Sequence, residues 1–584
     1  MQDIFDKLYE QSKNGKKFTK LVELIKNENN ILLAYRNIKK NKGSGTPGTD
    51  GLNIDYVEEM GVENYIKHIQ GKLDNYFPKS VRRVEIPKPN GKTRPLGIPC
   101  IDDRIIQQSI KQILEPICEA KFHKHSYGFR PNRSTTHAIA RTMDLMNKAR
   151  IHYVVDIDIK GFFDNVNHSK LKKQMWSMGI QDKNLICIIG KILKSEVEGE
   201  GIPNKGTPQG GIISPLLSNI VLNELDWWIS NQWETFETNH KYASRTKYRA
   251  MKTTKLKEIF LVRYADDFKI FCRDYHTAKK IYHATTQWLQ ERLGLQVSED
   301  KSKITNLKKN YTEFLGFKLM VKPKNNRYVC QSRMSNKAVQ TTINNLKKQI
   351  IKIKKSDGKY ETNKLNSMIL GSQTYYKTAT QVAGDFRKIN YKISRVIYNR
   401  LRTCMSDKPK YTKTYEKLYK GYSGKPKTVH GITLYPIYAV KTKPPMNFSQ
   451  GICNYTEEGR KLIHDKVSIS LEMLISHLLR TQSTDESTEY NDNRISLVCG
   501  QQGKCYVTGN PLHIGGMECH HKKPRFMGGT DEYKNLVWIC TDAHKLIHAT
   551  KTETISKYLD KLNLDEKGLK RINNFRKLVG NSVI

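Results

Sequence analysis

The sequence has no run that approaches the ~18 apolar residues of a membrane span, so no transmembrane helix is expected. Its start, "MQDIFDKLYEQSKNGKK", lacks the apolar core of a signal peptide, and the acidic residues there argue against a transit peptide. Cysteines number only 11, an odd count scattered widely, which suits a reducing cytosol better than a disulfide framework. Acidic residues are scarce as well. Only 57 Asp and Glu stand against 100 Lys and Arg in 584 residues, a formal net charge of +43. An excess of that size points to a polyanionic partner, because each basic side chain set against a phosphate releases a counterion. Drift toward Lys in a low-GC genome explains the choice of Lys over Arg better than it explains the imbalance of sign.

The length calls for several domains. "VRRVEIPKPNGKTRPLGIP" (81–99) reads as a strand, a turn at Pro89-Asn90-Gly91 and a second strand, and "IDDRIIQQSIKQILEPICE" has helical spacing. "HYVVDIDIKGFFDNV" is a β-branched strand entering a Gly-centred turn, and "GTPQGGIISPLLSNIVLNELDWWI" turns and then continues as an apolar helix. Beyond about residue 320 come basic helices with interleaved Tyr375, Tyr376, Tyr391 and Tyr398. "TQSTDESTEYNDN" (481–493) reads as a linker, followed by a compact tail with its own Cys/His pattern.

In "LVRYADDFKIF" (261–271) two carboxylates, Asp266 and Asp267, interrupt an apolar segment. Two strands joined by a tight turn would hold them at a hairpin tip, and Asp158 in "DIDIKGFF" also falls at a strand end. Bare buried charge is costly. Hard divalent ions such as Mg²⁺, held by two or three carboxylates and substrate phosphates, make such a cluster tolerable. Two such ions can activate an attacking hydroxyl and stabilise the leaving oxygen in phosphoryl transfer.

In order and spacing the chain resembles the group II intron-encoded reverse transcriptase/maturase family. The motifs that carry the resemblance are "AYRNIKKNKGSGTPGTDG", "RRVEIPKPNGKTRPLGIP", "YGFRPNRST", "VDIDIKGFFDNVNH", "KGTPQGGIISPLLSNI", "YADD", "LGLQVSEDKSKI" and "TEFLGFKL". The resemblance implies an α+β multidomain chain: a right-hand-like polymerase with fingers and palm over 1–320, then a helical thumb (domain X) over 321–450. It implies a two-Mg²⁺ polymerase site at Asp158, Asp266 and Asp267, with Lys88 and Arg94 toward the incoming triphosphate. Gln209 would lie beside the nascent base pair. Phe163 would sit under the sugar and leave no room for a 2′-hydroxyl, although Phe162 is just as apolar. Implied partners are group II intron RNA, target DNA and dNTPs, in a bacterial cytoplasm, with an organellar host and a homodimer left open. Two rivals are a maturase that no longer polymerises and a reverse transcriptase with another host role. The intact carboxylate set opposes the first, and the basic middle and the tail oppose the second.

In the tail, "ECHHKKPRFMGGTDEYKNLVWICTDAHKLIHA" places His544 and His548 four apart in a helix, hence on one face, and His520 and His521 on opposite faces of a strand. That geometry lets one strand histidine join the helical pair at a metal while the other activates water. The pattern resembles an HNH (ββα-metal) endonuclease over 491–584. By that analogy His520, His544 and His548 bind one divalent cation (Mg²⁺, Mn²⁺ or Zn²⁺). His521 is then the general base, and Asn535 orients it by bracing the loop. The region 451–490 would hold target DNA and serve as linker. Such domains commonly carry two Cys-x-x-Cys pairs, but "CYVT" at Cys505 and "CTDA" at Cys540 each keep one cysteine. Cys499 and Cys519 have the wrong spacing to replace the missing pair. Two thiolates fall short of the four ligands of a closed zinc site, so no structural zinc is expected and apolar packing should hold the tail together.

Overall fold

The computed structural model describes residues 1–41, 43–87, 93–208, 210–355, 357–463, 469–481 and 486–584. The chain forms two compact units, Met1–Arg460 and Lys461–Ile584, each with its own apolar core. Among the described residues, no helix is long and apolar enough to cross a membrane.

In the first unit β1 (Arg82–Pro87) and β2 (Thr93–Ile98) form an antiparallel hairpin; the expected turn at 89–91 lies outside the described residues. The central sheet uses β3 (Tyr153–Ile157), β4 (Ile259–Tyr264), β5 (Asp267–Cys272) and β6 (Lys303–Asn306), all antiparallel in the order β4-β5-β3-β6. The middle strands are buried at almost every position, as expected of a sheet with both faces covered. Helices Thr135–Asn147, Ser214–Asn231 and Tyr275–Trp288 pack on it. A three-stranded sheet follows, β7 (Thr312–Phe314), β8 (Phe317–Lys324) and β9 (Arg327–Met334). The basic helices begin only after it, at Asn336–Lys355, Gly358–Tyr376 and Val382–Leu401. Three two-residue strands, β10 (Met405–Ser406), β11 (Thr428–Val429) and β12 (Ile432–Thr433), complete this region. The chain then returns to the N-terminal helix, where Arg460 makes a two-pronged ion pair with Asp6, both contacts at 2.8 Å.

In the second unit β13 (Met517–His521) pairs with β14 (Leu536–Cys540), and the helix Thr541–His548 follows directly, a ββα arrangement. The segment read as a linker is in part a helix, Thr488–Gly500. Ser487 caps its start by accepting a hydrogen bond from the Tyr490 N–H, and Glu489 lies in the first turn. A polar composition concealed a well-capped helix.

Candidate functional site

The β4–β5 hairpin turns in two residues, Ala265 and Asp266, with Tyr264 paired to Asp267. Ala265 has φ +57, a left-handed conformation that a side chain other than glycine's disfavours. Across the sheet Ile157 pairs with Phe268, so Asp158, the next residue after β3, emerges at the same end of the sheet as the tip. Asp158 and Asp266 line one cavity of about 960 Å³. Asp267 stands within electrostatic range of both. Burial pushes its carboxyl upward, Lys269 opposes the shift, and Asp156, Asp266 and Asp158 add to it. Its surroundings are crowded with protein, yet it keeps open surface at the tip, so a cation has access. Asp158 and Asp266 at one cavity, with Asp267 beside Asp266 at the tip, offer carboxylate donors of the kind a hard divalent ion takes.

Alternation along β3 puts Asp156 on the same face as Asp158, and along β5 it puts Lys269 on the same face as Asp267. Asp156 and Lys269 are register partners and form a buried ion pair. Asp156 also accepts from Thr312 Oγ1 at 2.9 Å. A neutralised pair thus lies directly beneath the exposed carboxylates. Asp158 is tied to the segment before β6: its N–H donates to Ser302 Oγ at 3.0 Å, and its carboxylate meets Lys301 Nζ at 3.0 Å.

Sequence reading did not find the groups that hold the tip. Arg263 is fully buried. Its guanidinium grips both carboxylate oxygens of Asp226, at 2.7 and 2.6 Å. Nη1 also donates to Asn219 Oδ1 at 3.0 Å and to the Ala265 carbonyl at 2.8 Å. Asn219 in turn donates to the Gly128 carbonyl at 2.9 Å. A Cβ on Gly128 would lie 2.2 Å from the Ala265 nitrogen, so only glycine permits this approach. Asp226 and Asn219 belong to the helix Ser214–Asn231, and its first residues, Ser214 and Pro215, line the carboxylate cavity. One helix therefore shapes the cavity and locks the acidic tip.

Phe162 and Phe163 both line the cavity; Phe162 is buried, and Phe163 is half-buried, with its carbonyl accepting from Thr207 N at 2.7 Å. Lys88 and Gln209 lie outside the described residues, and for Arg94 only the backbone, in β2 opposite Ile86, is described. Next to Gln209, Gly210 packs against β2, where an added Cβ would lie 2.4 Å from the Gly97 oxygen. Among the tyrosines, Tyr391 and Tyr398 are well exposed and seven apart on one helix, hence on one face. Tyr376 packs on Phe317, and the Tyr375 hydroxyl donates to the Leu315 carbonyl, so this pair seats the helix Gly358–Tyr376 on the β7–β8 turn.

In the second unit His520, His544 and His548 bring their ring nitrogens within 4.8 Å of one another. His520 is buried, its Nε2 has no hydrogen-bond partner among the described residues, and burial followed by the two helical histidines pushes it down to about 3. A neutral imidazole with an orphaned nitrogen facing two others is a metal-ligand arrangement. His544 Nδ1 meets Glu518 at 2.7 Å, which leaves its Nε2 for the cluster, as an outer carboxylate does around a metal-bound histidine. Arg576, buried, donates to the carbonyls of Leu546 and Ala549 and fixes the end of the His544/His548 helix. His521, on the opposite strand face, donates through Nε2–H to the Asp531 carboxylate at 2.8 Å, and Tyr490 stacks on its ring at 5.4 Å. Asn535 braces the loop, bonding the backbone of Lys523 in both directions and the Thr530 carbonyl. The side chain that hydrogen-bonds His521 is thus Asp531, which the sequence alone did not single out. Cys505 and Cys540 meet with sulfurs 3.7 Å apart. Cys499 is exposed, whereas burial pushes the Cys519 thiol up to about 12.

The reverse transcriptase (RNA-dependent DNA polymerase) family matches residues 86–319, the stretch that contains all three clustered carboxylates. Protein YkfC of Escherichia coli K12 is 34% identical over 320 residues, 52% of this chain and 83% of that protein. The group II intron-encoded protein LtrA of Lactococcus lactis is 32% identical over 355 residues, 52% of this chain and 57% of that protein. The putative COX1/OXI3 intron 2 protein of Saccharomyces cerevisiae is 30% identical over 346 residues, 52% of this chain and 39% of that protein. The chain thus spans most of the bacterial relative YkfC and about half or less of the two intron proteins. It belongs to the reverse transcriptase family, the RNA-dependent DNA polymerases, with proteins named for group II introns among its relatives.

Proposed function

We propose that the chain is the protein of a mobile group II intron. In this reading it binds its intron RNA as a maturase, nicks a target DNA strand with an HNH-type second unit, and extends the new 3′ end by reverse transcription. The observation that carries the reading is the joint placement of Asp158 and Asp266 at one cavity, with Asp267 electrostatically coupled to both. Asp158, Asp266 and Asp267 would hold Mg²⁺, which supplies activation of the primer hydroxyl and charge neutralisation on the triphosphate. The chain's own contribution is position. Arg263 fixes the carboxylate-bearing turn, Phe163 narrows the space beside the sugar, and Lys301 holds Asp158 in place. Lys88, Arg94 and Gln209 are assigned to the triphosphate and the nascent pair by resemblance alone. The fingers and palm (1–320), thumb (321–450), DNA-binding region (451–490) and nuclease (491–584) remain the proposed functional divisions within the two units.

The thumb reading is supported by the exposed Tyr391 and Tyr398 face among basic residues, suited to phosphates and unpaired bases. The nuclease reading is supported by the three converging histidines, with a second-row carboxylate on His544 and a carboxylate on His521. His520, His544 and His548 would hold one divalent cation, and His521 would take the proton from water.

Primer extension on an RNA template tests the first activity: Asp158→Asn and Asp266→Asn should each abolish it while leaving intron RNA binding intact. Extension by either variant at the parent rate refutes the site. His544→Ala should abolish nicking of supercoiled DNA and leave extension unchanged.

A further inference from the structure

The loop between β13 and β14 carries a feature that the histidine cluster does not explain. Phe526 is 84% exposed and Met527 43%, both on the single turn Arg525–Met527. A loose loop would fold these side chains back onto the protein. This loop is built so that it does not. Gly528 closes the turn at φ +79, and a Cβ on Gly529 would lie 1.8 Å from the Lys523 carbonyl oxygen. Asn535 ties down both ends through the backbone of Lys523 and Thr530. Arg525 is ion-paired to Asp531 and to Glu486.

The loop is also wired to the histidines. The Asp531 oxygen that accepts from Arg525 at 2.9 Å is the one that meets His521 Nε2 at 2.8 Å. Phe526 therefore follows directly the residue that shares a carboxylate with His521. Lys523 is exposed beside it, and basic residues at the rim suit a phosphate backbone.

We propose that Phe526, backed by Met527, is a wedge that enters between stacked base pairs of a DNA duplex seated at the His520/His544/His548 cluster. It opens the step that His521 faces. Proteins kink duplexes in this way, inserting an apolar side chain and recovering the unstacking through added contact. The inference rests on the reading of the second unit as a DNA nuclease, which the test separates from it.

Full-length protein is mixed with mixed-sequence duplexes that carry 2-aminopurine at successive positions, with Ca²⁺ present. Parent protein should raise the fluorescence at one step, and Phe526→Ala should remove that rise. Phe526→Trp should retain the rise. With Mn²⁺ or Mg²⁺, Phe526→Ala should slow nicking on the order of tenfold, the scale of one aromatic–base stack, with metal content unchanged. Fluorescence that is unchanged by Phe526→Ala overturns the wedge, as does a rise seen only with single strands. Since the fluorescence reads binding alone, a parent protein that never nicks refutes the nuclease reading and leaves the wedge still decided by its own signal.

Discussion

At the scale of single residues, spacing identifies candidates and burial separates them. "DIDIK" offers two acids on one strand face; Asp156 is sealed against Lys269, and Asp158, past the strand end, reaches the cavity. The family pattern already favoured Asp158, but nothing in the sequence announced that its neighbour would be a neutralised support. Phe162 and Phe163 are indistinguishable by type and both line the cavity, but after the tight turn at Gly161 Phe162 is buried while Phe163 keeps partial exposure. Phe163→Val should therefore raise ribonucleotide incorporation relative to deoxynucleotide incorporation. An unchanged rNTP/dNTP ratio would remove the assignment. Asp531 was illegible because it lies ten residues from His521, across a loop whose path no periodicity gives. Asp531→Asn should reduce nicking about ten- to a hundredfold with the metal retained, and loss of the metal instead would make Asp531 part of the cation site.

At the scale of elements, sequence did better. The apolar runs of β3, β4 and β5, the hairpin at "YADD" and the helix after "PQGG" all follow from composition and turn chemistry. The cross-links between elements stayed hidden, since Arg263, Asp226, Asn219 and Gly128 look unremarkable one at a time. Arg263→Lys keeps the charge but loses the planar fork, so one ammonium cannot serve both Asp226 oxygens and the Ala265 carbonyl. The expected outcome is about 1.5–3 kcal/mol less stability by denaturant titration. Primer extension should also need more Mg²⁺ for half-maximal rate. A melting shift with an unchanged Mg²⁺ requirement would reduce Arg263 to a purely structural role. The helix Thr488–Gly500 shows the opposite failure, an element missed because a polar stretch was read as slack while Ser487 was supplying its cap.

At the scale of the molecule, charge and motif order pointed to a nucleic-acid enzyme, and the family match agrees with them. The divide after Arg460 was not legible, because 451–460 has the composition of a connector yet folds back on the first unit through Arg460 and Tyr455, whose hydroxyl donates to Glu115 at 3.0 Å. Since, among the described residues, each unit has its own apolar core, a chain ending after Arg460 should keep primer extension on RNA within a few-fold of full length. Loss of extension in a soluble truncation would show that the units depend on each other. Under the proposed function such independence would carry a hereditary consequence. Lesions in the C-terminal part would then strand a lineage of the element where it already resides, still able to excise its RNA and copy it, but without the proposed cut that opens a new address. Decay should therefore accumulate in that part first.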